Sequence, residues 1–177
     1  MSRVILETGP FVLTTGRLVL RELCLDDLDF VAEMLADPRV MRHYPKCRSR
    51  EEAREWLEAM LMRQERDGHA LWLTSLRETG EPIGQIGLLK QTVDGIDETE
   101  IGYLVHAPFW RQGFAHEAAA AVRDYAFHTL GKERVISLIR PANVPSQRVA
   151  LSIGMKPEKV TTFKETECLV WSLGACG

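Results

Sequence analysis

The segment that most constrains this chain runs from Glu100 to Leu130: a strand-like Glu100-Ile-Gly-Tyr-Leu-Val105, then Arg111-Gln-Gly-Phe-Ala-His116, then an alanine-rich stretch ending near Thr129 and Leu130, with Gly131 as its cap. Ile101, Tyr103 and Val105 fall on one face of the strand and Glu100, Gly102 and Leu104 on the other. A glycine and a small residue at the opening of a helix let consecutive backbone N–H groups converge on an anion, aided by the helix's positive end. The expectation is a strand, a phosphate cradle and a helix whose small residues, Ala118 to Ala121, allow close approach to a sheet. Gly113 alone is also compatible with any tight turn. Neither G-x-x-x-x-G-K-[ST] nor G-x-G-x-x-G is present.

The rest of the chain supplies alternating periods. Arg17 to Leu23 alternates as a half-buried strand and is expected to be the first one. Leu28, Val31, Ala32 and Leu35 share a helical face that Asp37-Pro38 stops. Ser49-Arg-Glu-Glu52 is a capping box for a helix carrying Ala53, Trp56, Leu57, Met60 and Leu61, stopped at Asp67-Gly68. Trp56, Met60 and Trp72 read as core. Ala70 to Leu76 and Ile83 to Leu89 make a hairpin, followed by an expected polar loop from Asp94 to Glu98. After the alanine-rich helix come a short strand, Val135 to Ile139, and a helix capped by Asn143 or Val144, with Pro145 in its first turn and Gly154 at its end. Val160 to Lys164 and Glu167 to Leu173 close the chain as a hairpin whose edge is open to a homodimer. This order describes a single α/β (α+β) domain around one sheet.

With 22 Lys and Arg against 25 Asp and Glu, the net charge of −3 gives no support to nucleic-acid binding. No apolar run is long enough for a membrane span, and Met1 to Glu7 lacks a signal-peptide core, so a cytoplasmic protein is expected. Cys24, Cys47, Cys168 and Cys176 have neither zinc nor disulfide spacing, and His116-Glu117 lacks the second histidine of a zinc helix, so no metal is expected.

The ordered set of Glu100-Ile-Gly-Tyr103, the cradle, Asn143-Val-Pro-Ser-Gln-Arg-Val-Ala150 and Ile153-Gly-Met155 resembles the GNAT superfamily of acyl-CoA-dependent N-acetyltransferases. Ala107 to Ala118 and Thr15-Gly-Arg-Leu-Val-Leu-Arg-Glu22 are most similar to its RimJ/RimL branch. The resemblance covers about residues 14–173. It implies a mixed, mostly antiparallel sheet flanked by helices, with two strands splayed apart. It implies acetyl-CoA as co-substrate, held by the backbone of Arg111, Gln112, Gly113, Phe114, Ala115 and His116, by strand-like pairing with Leu104 and Val105, and by Asn143. Three positions depart from the family pattern: Trp110 stands where a Gln or Arg is usual, Met155 where Phe follows the glycine, and Ala150 where many relatives carry a thiolate-protonating Tyr.

An amine with a pKa of roughly 10 must lose a proton before it attacks a thioester, so a base is required, and the leaving thiolate needs an acid. Glu100 is the candidate base, with Gly102 expected to leave room beside it, and Ser146 the substitute acid. Their alternatives are a sheet-surface carboxylate and a first-turn helix residue. The acidic run Asp94, Asp97, Glu98 and Glu100 either attracts a cationic acceptor or is a solvated loop. The expected activity is N-acetylation of a primary amine, either a protein N-terminus or a small molecule such as a polyamine or antibiotic. The alternative from another class is a non-catalytic acyl-CoA-binding module.

Overall fold

The computed structural model describes residues 9–175; Met1 to Glu7 and Cys176 lie outside them. Eight strands form one sheet: β1 (Phe11–Thr14), β2 (Leu18–Arg21), β3 (Leu71–Leu76), β4 (Pro82–Val93), β5 (Ile96–Val105), β6 (Arg134–Ile139), β7 (Lys156–Phe163) and β8 (Thr166–Gly174). Four α-helices accompany them: α1 (Leu28–Ala36), α2 (Arg50–Asp67), α3 (Phe114–His128) and α4 (Val144–Ser152). The strand order is β1-β2-β3-β4-β5-β6-β8-β7, and every neighbouring pair is antiparallel except β5 and β6.

The two faces of the sheet carry separate cores. On one, α3 brings Phe114, Ala118, Ala119, Val122 and Ala126 against Leu20, Ile86, Ile101 and Val105, and Ala150 of α4 joins them. Alanines are what permit this closeness, because a larger side chain would hold the helix off the sheet. On the other face, α1 and α2 pack Val31, Leu35, Ala53 and Leu57 over Leu71 and Leu73. The start of α2 is a reciprocal cap: Ser49 Oγ accepts from the Glu52 N–H at 3.2 Å and Glu52 accepts from the Ser49 N–H at 2.9 Å. Arg21 and Asp27, both buried, form a bidentate pair at 2.6 and 2.9 Å that joins the end of β2 to the approach to α1.

Three expectations change. The first strand is β1 rather than the run from Arg17; its four residues are too few, and too uniformly apolar, to show a period. No polar loop spans Asp94 to Glu98. Instead β4 runs on to Val93, β5 begins at Ile96, and Asp94 and Gly95 turn the chain with φ of 50° and 80°, the paired positive angles that match strand twist in a two-residue hairpin. β7 begins at Lys156, earlier than Val160, and its mostly exposed residues hide the usual apolar signal because it is an edge strand.

Candidate active site

The site begins where the sheet fails to close. β5 and β6 match in register at Glu100 and Ile136 only, and beyond that point the strands part. Ser137 Oγ donates to the Ile101 carbonyl at 2.8 Å, so a side chain takes the acceptor that a continuing ladder would use. Along β5 the antiparallel alternation assigns each residue's backbone to one side. The His106 N–H bonds the Ile83 carbonyl at 2.8 Å, and the unbroken register then directs Leu104 toward Gln85 of β4. The backbone groups that face the gap belong to Tyr103 and Val105. This corrects the pairing expected of Leu104, whose backbone is committed to β4; its side chain still lines the cavity below. The Val105 carbonyl accepts from Trp110 Nε1 at 2.7 Å, which leaves the Val105 N–H directed into the gap.

At the end of β5 the chain enters the cradle. Arg111 and Gly113 both have positive φ, 61° and 81°, so successive N–H groups converge instead of alternating. Among the described residues, the backbone N–H groups of Arg111, Gln112, Gly113, Phe114, Ala115 and His116 donate to no protein acceptor; the first helical bond is from Glu117 to the Gly113 carbonyl at 3.0 Å. Six free donors at the positive end of a 15-residue helix suit a diphosphate. The loop is braced from beneath. Arg17 bonds Glu117 at 2.6 Å and the Gln112 carbonyl at 2.9 Å, and its guanidinium lies 4.5 Å from the centre of the Phe114 ring. Thr15 Oγ1 and the Arg17 N–H also donate to Glu117 Oε1, at 2.5 and 2.8 Å. Burial opposes ionisation of Glu117, yet these donors hold its carboxyl below the usual range. No local signal marks this brace, because its partners lie about a hundred residues apart. Further on, the Ser152 hydroxyl gives its proton to the Val149 carbonyl at 2.7 Å, so His116 Nδ1, 2.7 Å from Ser152 Oγ, is the donor there.

Below the gap lies a cavity of about 420 Å³ reached by both sheet faces. Glu100, Gly102 and Leu104 line it from β5, Asn143 and Ser146 from α4 and its approach, and Trp56 and Met60 from α2. Trp72 is core, but Trp56 and Met60 are also cavity wall, a role their helical spacing does not reveal. Gly102 does not leave open space, since a β-carbon there would meet Leu71 Cδ2 at 2.9 Å.

Glu100 accepts from Gln91 Nε2 at 2.8 Å. Burial pushes its carboxyl pKa up, against the pull of Gln91, the Leu138 N–H, Lys164 and Arg63. The other acids of the run do not face the cavity. Asp94 pairs with Lys159 at 2.6 Å, Asp97 with Lys90 at 3.0 Å and Glu98 with Arg134 at 3.1 Å. Asp94, Asp97 and Glu98 are thus tied into ion pairs with Lys159, Lys90 and Arg134, and of the four acids Glu100 alone faces the cavity.

On α4, Asn143 Oδ1 caps the helix by accepting from the Ser146 N–H at 3.3 Å. The Ser146 hydroxyl makes no hydrogen bond among the described residues, whereas the Ser146 carbonyl accepts from the Tyr103 hydroxyl at 2.7 Å. Burial drives the Tyr103 phenol well above the ordinary tyrosine range, with Ser137 and the Ala150 N–H drawing it back. A tyrosine hydroxyl thus does reach the turn of α4 that carries Ala150, but it arrives from β5.

A parted parallel pair beside a run of free backbone N–H groups at a helix start has a counterpart among known proteins: residues 17–156 match the family described as the acetyltransferase (GNAT) domain. The chain belongs to the GNAT acetyltransferase family. It is an acetyl-CoA-dependent N-acetyltransferase. Among its relatives, the uncharacterized protein YkkB of Bacillus subtilis is 35% identical over 150 residues, 83% of this chain and 86% of that protein. The uncharacterized N-acetyltransferase YnaD of the same species is 32% identical, covering 82% of this chain and 83% of its own. The crystal structure of an acetyltransferase from Agrobacterium tumefaciens superposes with a TM-score of 0.80 at 30% identity, covering 98% of this chain and 99% of that one.

Proposed function

We propose that this GNAT enzyme moves an acetyl group directly from acetyl-CoA to a primary amine bound in the same complex, with a protein N-terminal amine as the acceptor, as in the RimJ/RimL branch. The observation that carries this reading is one cavity bounded by Glu100 on β5, by Ser146 on α4, and by the gap into which the Val105 N–H points. The fold does not choose the acceptor. A RimL ribosomal L7/L12 α-N-protein acetyltransferase (TM-score 0.77, 15% identity) and an aminoglycoside acetyltransferase (TM-score 0.73, 15% identity) share it.

Acetyl-CoA, when bound, supplies an activated carbonyl carbon and a thiolate leaving group. The N–H groups of 111–116 hold its diphosphate and the backbone of Tyr103 pairs with its amide arm. Glu100 takes a proton from the acceptor ammonium, directly or through water, and the freed amine attacks the carbonyl carbon. The Val105 N–H donates to the developing oxyanion. As the carbon–sulfur bond breaks, the nitrogen loses its second proton to water, and the Ser146 hydroxyl donates to the departing sulfur and is reprotonated from solvent, to which Glu100 also gives up its proton. The measurement is thiol release from acetyl-CoA with N-terminal peptides, polyamines and aminoglycosides as acceptors. Release with peptides is expected; a folded protein that binds acetyl-CoA yet releases no thiol with any acceptor would be a binding module instead.

A further inference from the structure

The charged lining of the cavity is mostly cationic, which is unexpected in a chain with an acidic excess. Arg48, Arg63, Arg140 and Lys164 all line it, and Glu100 is its only carboxylate among the described residues. None of the four cations forms an ion pair among the described residues. Arg63 donates to the Lys90 carbonyl at 2.9 Å and Arg140 to Thr166 Oγ1 at 3.4 Å, neutral partners that leave both charges uncompensated. Elsewhere the chain pairs its cations readily, as Arg134 does with both Glu98 and Glu158.

Arg48 and Arg63 lie across the sheet from the 111–116 loop. The cradle opens α3, which packs on the sheet face carrying Ile101 and Val105, while Arg63 belongs to α2 and Arg48 precedes it, on the face of Leu71 and Leu73. Four cations around one carboxylate also repel a polycation such as a polyamine or aminoglycoside. They do not oppose an amine that brings its own negative charge. Positive neighbours lower the pKa of a bound ammonium, so they favour the neutral nucleophile, while an anionic group on the same molecule offsets the repulsion on entry.

We infer that the acceptor is a primary amine carrying a carboxylate or other anion close to the reacting nitrogen, recognised by Arg48, Arg63, Arg140 and Lys164. This rests on the acetyltransferase reading above and names its substrate class. Two sources share that chemistry: a polypeptide N-terminus followed by acidic residues, and a small amino acid-like metabolite.

The test is thiol release with matched acceptors. One arm uses hexapeptides identical except for Asp and Glu, Asn and Gln, or Lys at the second and third positions. The other uses β-alanine, β-alaninamide and spermidine. In at least one arm the anionic acceptor is expected to exceed its uncharged match in kcat/KM by about tenfold, with the advantage shrinking at high salt. The arm that responds identifies the source. Lys164 is exposed at a turn, so K164Q keeps the fold, and K164Q combined with R63Q should cut the anionic preference to about twofold, with circular dichroism confirming folding. A lysine peptide or spermidine used as well as the anionic acceptors overturns this inference and leaves the acetyltransferase reading standing. Thiol release with no acceptor overturns both.

Discussion

The Tyr103 hydroxyl donates a 2.7 Å hydrogen bond to the Ser146 carbonyl, tying the gap strand β5 to the first turn of α4. That turn carries both Asn143, which caps it, and the unbonded Ser146 hydroxyl. Tyr103 is a positioning residue in this arrangement, since its own proton is already given to a carbonyl. Tyr103→Phe is expected to lower kcat by about tenfold with a smaller change in the acetyl-CoA KM, and stability by about 1 kcal/mol. Unchanged kcat in steady-state assays would remove the positioning role.

Ser146 supplies the proton in the proposed reaction. Ser146→Ala should reduce kcat by at least about a hundredfold while calorimetric affinity for acetyl-CoA stays within about twofold. The same substitution leaves the Asn143 cap intact, because the cap uses the backbone N–H of Ser146. A variant with full turnover would assign thiolate protonation to solvent.

The buried Glu100 carboxyl holds its proton to a higher pH than the ordinary value of 4.5. A base must be deprotonated to work, so kcat/KM is expected to rise with pH through a limb centred above that value. Arg63 and Lys164 favour the carboxylate, so Arg63→Gln should move the limb further up. Glu100→Gln should abolish the limb and cost about a hundredfold or more. A pH–rate profile that keeps the limb in Glu100→Gln would transfer the role of base elsewhere.

Gly113 stands at φ 81° with Arg17 Nη2 3.3 Å from where a β-carbon would sit. Gly113→Val meets backbone strain and the brace together, and is expected to abolish detectable acetyl-CoA binding in calorimetry. Retained affinity would mean that the cradle is not at 111–116.

Asp27→Asn breaks a buried bidentate pair and leaves Arg21 uncompensated. Chemical denaturation is expected to show a loss of about 3 kcal/mol. A loss below about 1 kcal/mol would show that water reaches Arg21.

What is local in this chain was legible in its sequence. The capping box at Ser49, the helical face from Leu28 to Leu35, and the positive-φ glycine before an alanine-rich helix each depend on residues within a few positions of one another. Misreadings arose where local composition conflicts with position in the sheet. β7 looks polar because it is an edge. The Asp94 to Glu98 run looks like a loop because its charges are satisfied by Lys90, Arg134 and Lys159, which come from other strands.

By itself, then, the sequence determined the succession of elements from β2 onward and the glycine turn that opens α3, since periodicity, caps and the small side chains of α3 act over a single turn or strand. Tertiary structure alone decided which backbone groups of β5 face the gap, because that follows from its register against β4. It also brought Arg17 beneath the cradle, Tyr103 beside Ala150, and four unpaired cations around Glu100. Those contacts join residues from tens to about a hundred positions apart, and only the folded sheet, which fixes their separation in space, gives them any interaction energy.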